Sequence, residues 1–394
     1  MKITALQTRQ RQGGAVSLFV VVFVTLLMII ITISFIQLML KDQRQASASD
    51  LSQSAYDSAQ AGVEDAKRLL LLEQACRSSS PPAGTNCANV RAAVASNKCD
   101  SVSSILGDGS GNETLIQQNA GDTSLQQAYT CVAIANAADY KGSMKANESN
   151  IIPLNTNGPF DTVEISWFTR DDIATTNAQT INFPLGGNIV GGSAVKLPRA
   201  GSQWSESTPS LLRTQFMQTG DSFKLSDFDT SPGGNKSNAN TLFLYPSRNG
   251  VPQMDFGLDV RRDPLNTPQL AKCEQSFSTS ISYACTTTIK LPAPISGGND
   301  ARGAYLRLSS LYNGTHYKIN LFNGSDAQPF DHVQYEVDST GRANDMFRRV
   351  KSRVELKSDF IYPEAAVDVE GDLCKSFMIT DDDSGYRTIG SCTP

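Results

Sequence analysis

The sequence predicts an α+β protein, with a long N-terminal membrane-spanning α-helix followed by a large, disulfide-stapled, mostly antiparallel β domain. Three observations carry that expectation. Residues 15–40 hold no charged side chain, every cysteine lies beyond that stretch, and short alternating runs divided by turn residues fill the second half. The chain has 394 residues, enough for one large or two ordinary domains. Its 34 basic and 39 acidic residues nearly balance, so any electrostatic partner must be met by a local patch rather than by net charge.

Residues 1–14 form a basic leader, with Lys2, Arg9 and Arg11 and no acidic residue. The positive-inside bias places it in the cytoplasm and everything beyond Lys41 outside, giving a single-pass protein with an extracytoplasmic C-terminal domain. Residues 15–40 are the transmembrane helix. At about 1.5 Å per residue they span roughly 39 Å, enough to cross a hydrocarbon core of about 30 Å with some tilt. A secretory signal would have an apolar core of only about 7–15 residues ending in small residues, and no such end precedes Lys41. Ser17, Thr25, Thr32, Ser34 and Gln37 can bond to their own helix or a neighbour and do not veto insertion.

Residues 41–75 extend the same helix. Leu51, Ala55, Ala59, Val63, Ala66 and Leu70 recur at helical spacing and form one apolar stripe, with Asp50, Asp57, Glu64 and Arg68 opposite. The stripe must pack on something in this chain or in a partner. Gly62 costs about 1 kcal/mol relative to alanine, which a helix this long tolerates. Pro81 and Pro82 end the rod.

The leader ending in Gly13-Gly14, the hydrophobic helix start, and the extension Ser54-Ala55-Tyr56-Asp57-Ser58-Ala59-Gln60-Ala61-Gly62-Val63-Glu64-Asp65-Ala66 together resemble the N-terminus of a type IV pilin-like protein. The likeness is greatest to PilX-type minor pilins and K-type pseudopilins. It covers about 70 residues, judged on apolar pattern rather than on a catalytic motif. It implies cleavage by a prepilin peptidase after Gly14, leaving Ala15 as a methylated N-terminus, and a pilin-like helix through which the chain meets other pilin subunits. Cleavage after Gly13 is the alternative register. Most major pilins carry a glutamate five residues after the cut, thought to neutralise a neighbouring subunit's N-terminal amine. Here that position is Phe19, an absence shared with K-type pseudopilins.

The eight cysteines, at 76, 87, 99, 131, 273, 285, 374 and 392, suit an oxidising compartment and suggest up to four disulfides, with 105 pairings open. Sequence proximity favours Cys273 with Cys285 and Cys374 with Cys392, and leaves Cys76, Cys87, Cys99 and Cys131 to pair among themselves. Metal binding is weak: no Cys-x-x-Cys pair exists and only His316 and His332 are present. Residues 76–150 read as a Cys/Ser/Asn-rich insertion with a helical patch near Ala88–Ala95 and an apolar run at Tyr129–Ala135. Residues 151–394 read as the β-rich extracytoplasmic domain, with strands at Thr162–Phe168, Thr241–Tyr245, Ser280–Leu291 and Ala304–Leu308.

A C-terminal hairpin joins the run Val333–Asp338 to the run Arg349–Leu356 through a turn expected at Thr340-Gly341. Arg349, Lys351 and Arg353 then share one face, roughly 7 Å apart. Three cations in a row could hold DNA phosphate or acidic glycan. The commoner outcome is a solvated face, with Glu336 and Asp338 as cross-strand partners.

Catalytic signals are poor, and neither an enzyme nor a cofactor is expected. Ser193-Ala194-Val195-Lys196 matches a Ser-x-x-Lys spacing, but Gly191-Gly192 and Pro198 do not suggest the helix that spacing needs, and no Lys-Thr-Gly companion appears. Neither histidine has a nearby Ser, Cys or carboxylate in a recognised order. Thr380-Asp381-Asp382-Asp383-Ser384-Gly385 offers calcium-type oxygens but misses the EF-hand spacing, so a plain acidic turn is favoured. The expectation is therefore a minor pilin or pseudopilin, a low-copy tip or initiating subunit of a type IV pilus or related surface filament. The competing class is an uncleaved, membrane-anchored adhesin or binding protein.

Overall fold

A computed structural model describes residues 14–78, 80–106, 113–116, 126–173, 180–184, 203–218, 239–250, 252–255, 269–295 and 304–356. Helix α1 (Gly14–Arg77) opens the chain, followed by α2 (Cys87–Ser96) and α3 (Ser103–Leu106). The strands follow in order: β1 (Thr114–Leu115), β2 (Ala128–Asn136), β3 (Tyr140–Met144), β4 (Ser149–Pro153), β5 (Phe160–Thr169), β6 (Leu211–Gln218), β7 (Ala239–Ser247) and β8 (Gln253–Asp255). Then come β9 (Gln269–Lys272), β10 (Tyr283–Ile295), β11 (Ala304–Leu311), β12 (Thr315–Asn323), β13 (Asp326–Gln328), β14 (Gln334–Ala343) and β15 (Met346–Glu355). The chain is α+β, with one long apolar helix, mostly antiparallel sheets and three disulfides.

Two compact units divide the described residues. One joins the chain up to Asn136 with Gln334–Leu356; the other is Ala137–Val333. The sequence reading set its boundary at residue 150 and kept the C-terminal hairpin in the β domain. The structure instead gives that hairpin to the helix unit, because β14 pairs with β2 as well as with β15.

In the helix unit, α1 runs unbroken for 64 residues, about 96 Å, and ends four residues before Pro81. The guanidinium of Arg91 donates to the Cys76 carbonyl at 2.8 Å, satisfying one of the carbonyls left open at the helix end. The second half of α1 lies on an antiparallel sheet of order β1-β2-β14-β15. The expected stripe is the buried face: Ala55, Ala59, Ala66 and Leu70 are fully buried, Val63 nearly so, and Leu51 is half-buried at the upper end. Asp50, Asp57, Glu64 and Arg68 are exposed. Val63, Ala66, Leu69 and Leu70 share one core with Val132, Ile134, Tyr335 and Val337 of the sheet and with Val90 and Val94 of α2. Asn86 caps α2 by accepting the Asn89 amide at 3.3 Å.

The hairpin turn is not at Thr340-Gly341. Both residues lie within β14, and the chain reverses at Asn344-Asp345, where Asn344 takes a φ of 49°. Gly341 is in the strand because it faces α1. A Cβ there would overlap the Ala55 carbonyl oxygen and the Ala59 amide nitrogen. Gly62 meets the sheet in the same way, where a Cβ would collide with the Ser339 hydroxyl and lie 2.8 Å from a Val132 methyl. The two glycines let helix and sheet backbones approach, so the propensity cost at Gly62 secures packing.

The second unit sets a six-stranded sheet (β13-β12-β5-β10-β8, with β3 also on β12) and a five-stranded sheet (β4-β11-β6-β7-β9) around a large core, with a smaller cluster of Trp204, Leu211 and Tyr245 beside it. Pairing is antiparallel except β8 with β10 and β7 with β9. Inward residues alternate on β12, as Tyr317, Ile319 and Leu321, and on β11, as Leu306 and Leu308. Trp167, fully buried on β5, donates its indole N–H to the Ser210 carbonyl just before β6 at 3.0 Å, tying the layers together.

Candidate functional site

The first half of α1 is the largest chemical anomaly among the described residues. Every large apolar side chain from Leu18 to Leu40 is between 44% and 74% exposed. A helix face of this kind, apolar all round, demands a non-aqueous neighbour. Its hydroxyls make no such demand, because Thr25 donates to the Val22 carbonyl at 2.9 Å, Thr32 to Met28 at 3.0 Å, and Ser34 to Ile30 at 2.8 Å. With those groups satisfied internally, the segment is long and apolar enough to cross a membrane. Gly14 and Ala15 are the first residues of the helix, and Phe19 is 74% exposed on it. The leader residues Lys2, Arg9, Arg11 and Gly13 lie outside the described residues.

Where α1 leaves this segment it acquires specific partners. Glu73, only 2% exposed, pairs with Arg77 one turn on at 2.6 Å, and Arg77 also donates to the Tyr335 hydroxyl at 3.4 Å. The Tyr129 hydroxyl donates to Asp65 at 3.0 Å, and burial pushes that phenol up to about 12. Beside this cluster a disulfide links Cys76, in the last turn of α1, to Cys87, the first residue of α2. A second joins Cys99 to Cys131 on β2. Closing loops of 11 and 32 residues, the two stabilise by about 3 and 4 kcal/mol in the chain-entropy model. The expected Cys273–Cys285 bond joins the residue after β9 to β10. Cys374 and Cys392 lie outside the described residues, as do Ser193–Lys196 and Thr380–Gly385.

The row Arg349, Lys351 and Arg353 does form on the outer face of β15, and each cation meets a carboxylate. Arg349 pairs with Asp338 through two nitrogens, Lys351 reaches the same carboxylate at 3.7 Å, and Arg353 pairs with Glu336 while donating to Gln334 at 2.8 Å. The hydrogen bond from Arg349 holds the Asp338 carboxyl below its ordinary value. Two carboxylates thus offset most of the charge of three cations, which makes the row the solvated face the sequence favoured.

A second site was invisible in the sequence. In the β unit, His316 on β12 lies 2.6 Å from Asp172, in the short turn after β5. The two border a cavity of about 380 Å³ with Ser143, Lys145, Asp171, Glu206 and Asn313. His332 sits 3.4 Å from its neighbour Asp331. Among the described residues no cluster of three or more His, Cys, Asp or Glu is placed to hold a metal ion. No family model matches the chain, and no curated protein matches it in sequence.

Proposed function

We propose that the chain is a minor pilin or pseudopilin, a low-copy tip or initiating subunit of a type IV pilus or related filament. The observation that carries this reading is the two-part character of α1: one unbroken helix, bare and apolar in its first half, clamped in its second half to a four-stranded antiparallel sheet. A subunit of this design waits in the bilayer and exchanges lipid for the helices of other subunits, since both surroundings are apolar. The leader would be removed by a prepilin peptidase between Gly14 and Ala15, and the folded units carried outside the membrane.

Phe19 supports the low-copy position. Inside a filament a buried N-terminal amine wants a carboxylate, and this helix offers none at the fifth place after the cut. Repeating roughly 350 extracytoplasmic residues at every helical step would also crowd the fibre surface. Quantitative mass spectrometry of sheared filaments tests the reading. A trace subunit is expected, and dominance along the fibre would overturn it. The alternative, a fixed uncleaved adhesin, is favoured only if the chain stays in the membrane fraction with its leader attached.

A further inference from the structure

We propose that the cavity bordered by Ser143, Asp172 and His316 is a hydrolytic site for small carboxylic esters that carry an ammonium group. This goes beyond the filament reading and does not depend on it. Three placements made by the topology carry the proposal.

The first is the orientation of the imidazole. The Asp172 side chain is 6% exposed and accepts the Thr169 amide at 2.7 Å, the Thr169 hydroxyl at 3.1 Å and the His316 amide at 3.0 Å. Four donor groups converge on Asp172, so it acts as an acceptor and His316 Nδ1 donates to it. With Nδ1 turned to Asp172, Nε2 is the ring nitrogen left to meet a nucleophile, and the His316 side chain is half exposed and borders the cavity. A base held by a buried carboxylate is the arrangement that activates a hydroxyl nucleophile.

The second is the nucleophile. In the antiparallel pairing of β3 with β12, Ser143 stands directly opposite His316. Both residues are exposed, His316 between buried Thr315 and Tyr317 and Ser143 between half-buried Gly142 and buried Met144, so both side chains rise from the same face with Cβ atoms about 4.5–5.5 Å apart. The third is strain at the rim. Phe168 (φ 67°), two residues before the Arg170–Asp172 turn, and Tyr312 (φ 72°), in the bend that leads to Asn313, both take the left-handed conformation that bulky residues avoid. The Phe168 amide is held there by the Thr315 hydroxyl at 3.0 Å.

The chemistry balances without a cofactor. Ser143 Oγ forms a bond to the ester carbonyl carbon as its proton passes to His316 Nε2, and Asp172 stabilises the imidazolium. The carbon–oxygen bond to the leaving alcohol breaks, and the alcohol takes that proton. A water then adds to the acyl carbon, giving a proton to Nε2; the bond to Ser143 breaks, Ser143 recovers the proton, and the acid leaves. Lys145 lines the cavity and is the cation assigned to the developing oxyanion, while the lining residues Asp171 and Glu206 favour a substrate bearing a positive group.

The test uses the full chain in detergent, treated with a fluorophosphonate probe and mapped by mass spectrometry, together with hydrolysis of the p-nitrophenyl esters of lysine and of acetate. The expected results are an adduct on Ser143, preference for the lysine ester, and a fall of at least about a hundredfold in S143A and H316A. Both positions are exposed, so circular dichroism should match the unmodified chain. Absence of a Ser143 adduct, an adduct indifferent to H316A, or an unchanged rate in folded S143A overturns the proposal.

Discussion

Gly341 on β14 touches the backbone of α1 at Ala55, with no room for a methyl group between strand and helix. The contact fixes how deeply the helix sits on its sheet, and Gly62 repeats it from the helix side against Val132 and Ser339. At Gly341 the packing is backbone on backbone, so neither surface can yield there by changing a rotamer.

Gly341→Ala is therefore expected to destabilise the helix unit by about 1–3 kcal/mol, the usual cost of overpacking. Gly62→Ala should destabilise less, because a serine hydroxyl and a valine methyl can give way and alanine regains about 1 kcal/mol of helix propensity. Denaturant titration of the detergent-solubilised chain, followed by far-ultraviolet circular dichroism, orders the two variants. Equal stability of G341A and the unmodified chain would show that the contact is not tight.

The Glu73–Arg77 pair makes an asymmetric expectation. Arg77→Ala leaves a carboxylate with 3% side-chain exposure without its cation, and the loss should be about 3 kcal/mol, the low end for a buried pair because Arg77 is itself one-third exposed. Replacing both, as Glu73→Leu with Arg77→Met, should cost clearly less. A thermal-melt comparison of the single and double variants decides it, and a double variant worse than R77A would contradict the account.

Asp338 sets an acid dependence. Its carboxyl titrates below the ordinary 3.8 because Arg349 donates to the ionised form. The unfolded chain therefore takes up this proton at higher pH than the folded one. The stabilisation is fully present above about pH 4 and is lost as pH falls through the folded value. Asp338→Asn should therefore lower stability at neutral pH, and the gap between the two proteins should close below pH 4. A gap that stays constant down to pH 2.5 would assign the effect to something other than this ion pair.

The legible parts of this chain were the local ones. The stripe from Leu51 to Leu70 repeats every three or four residues, so its buried face could be read directly, and the run Thr162–Phe168 announced β5 by its alternation. Cys273 and Cys285, 12 residues apart, could be paired because a hairpin-sized loop brings them together. Gly341 misled because a glycine after threonine in a polar run looks like a turn, and only the distant helix explains why it is a strand residue. His316 and Asp172 are 144 residues apart, and neither belongs to a motif, so no spacing rule could join them. The return of β14 to β2, which moves the last hairpin into the helix unit, was hidden for the same reason.

The mature N-terminus separates a filament subunit processed behind its leader from a fixed membrane anchor. Chain recovered from sheared surface filaments should be sequenced by mass spectrometry. A filament subunit is expected to begin at Ala15, with the peptide 1–14 missing. Recovery of intact Met1 on most molecules, all of them in the membrane fraction, would contradict it.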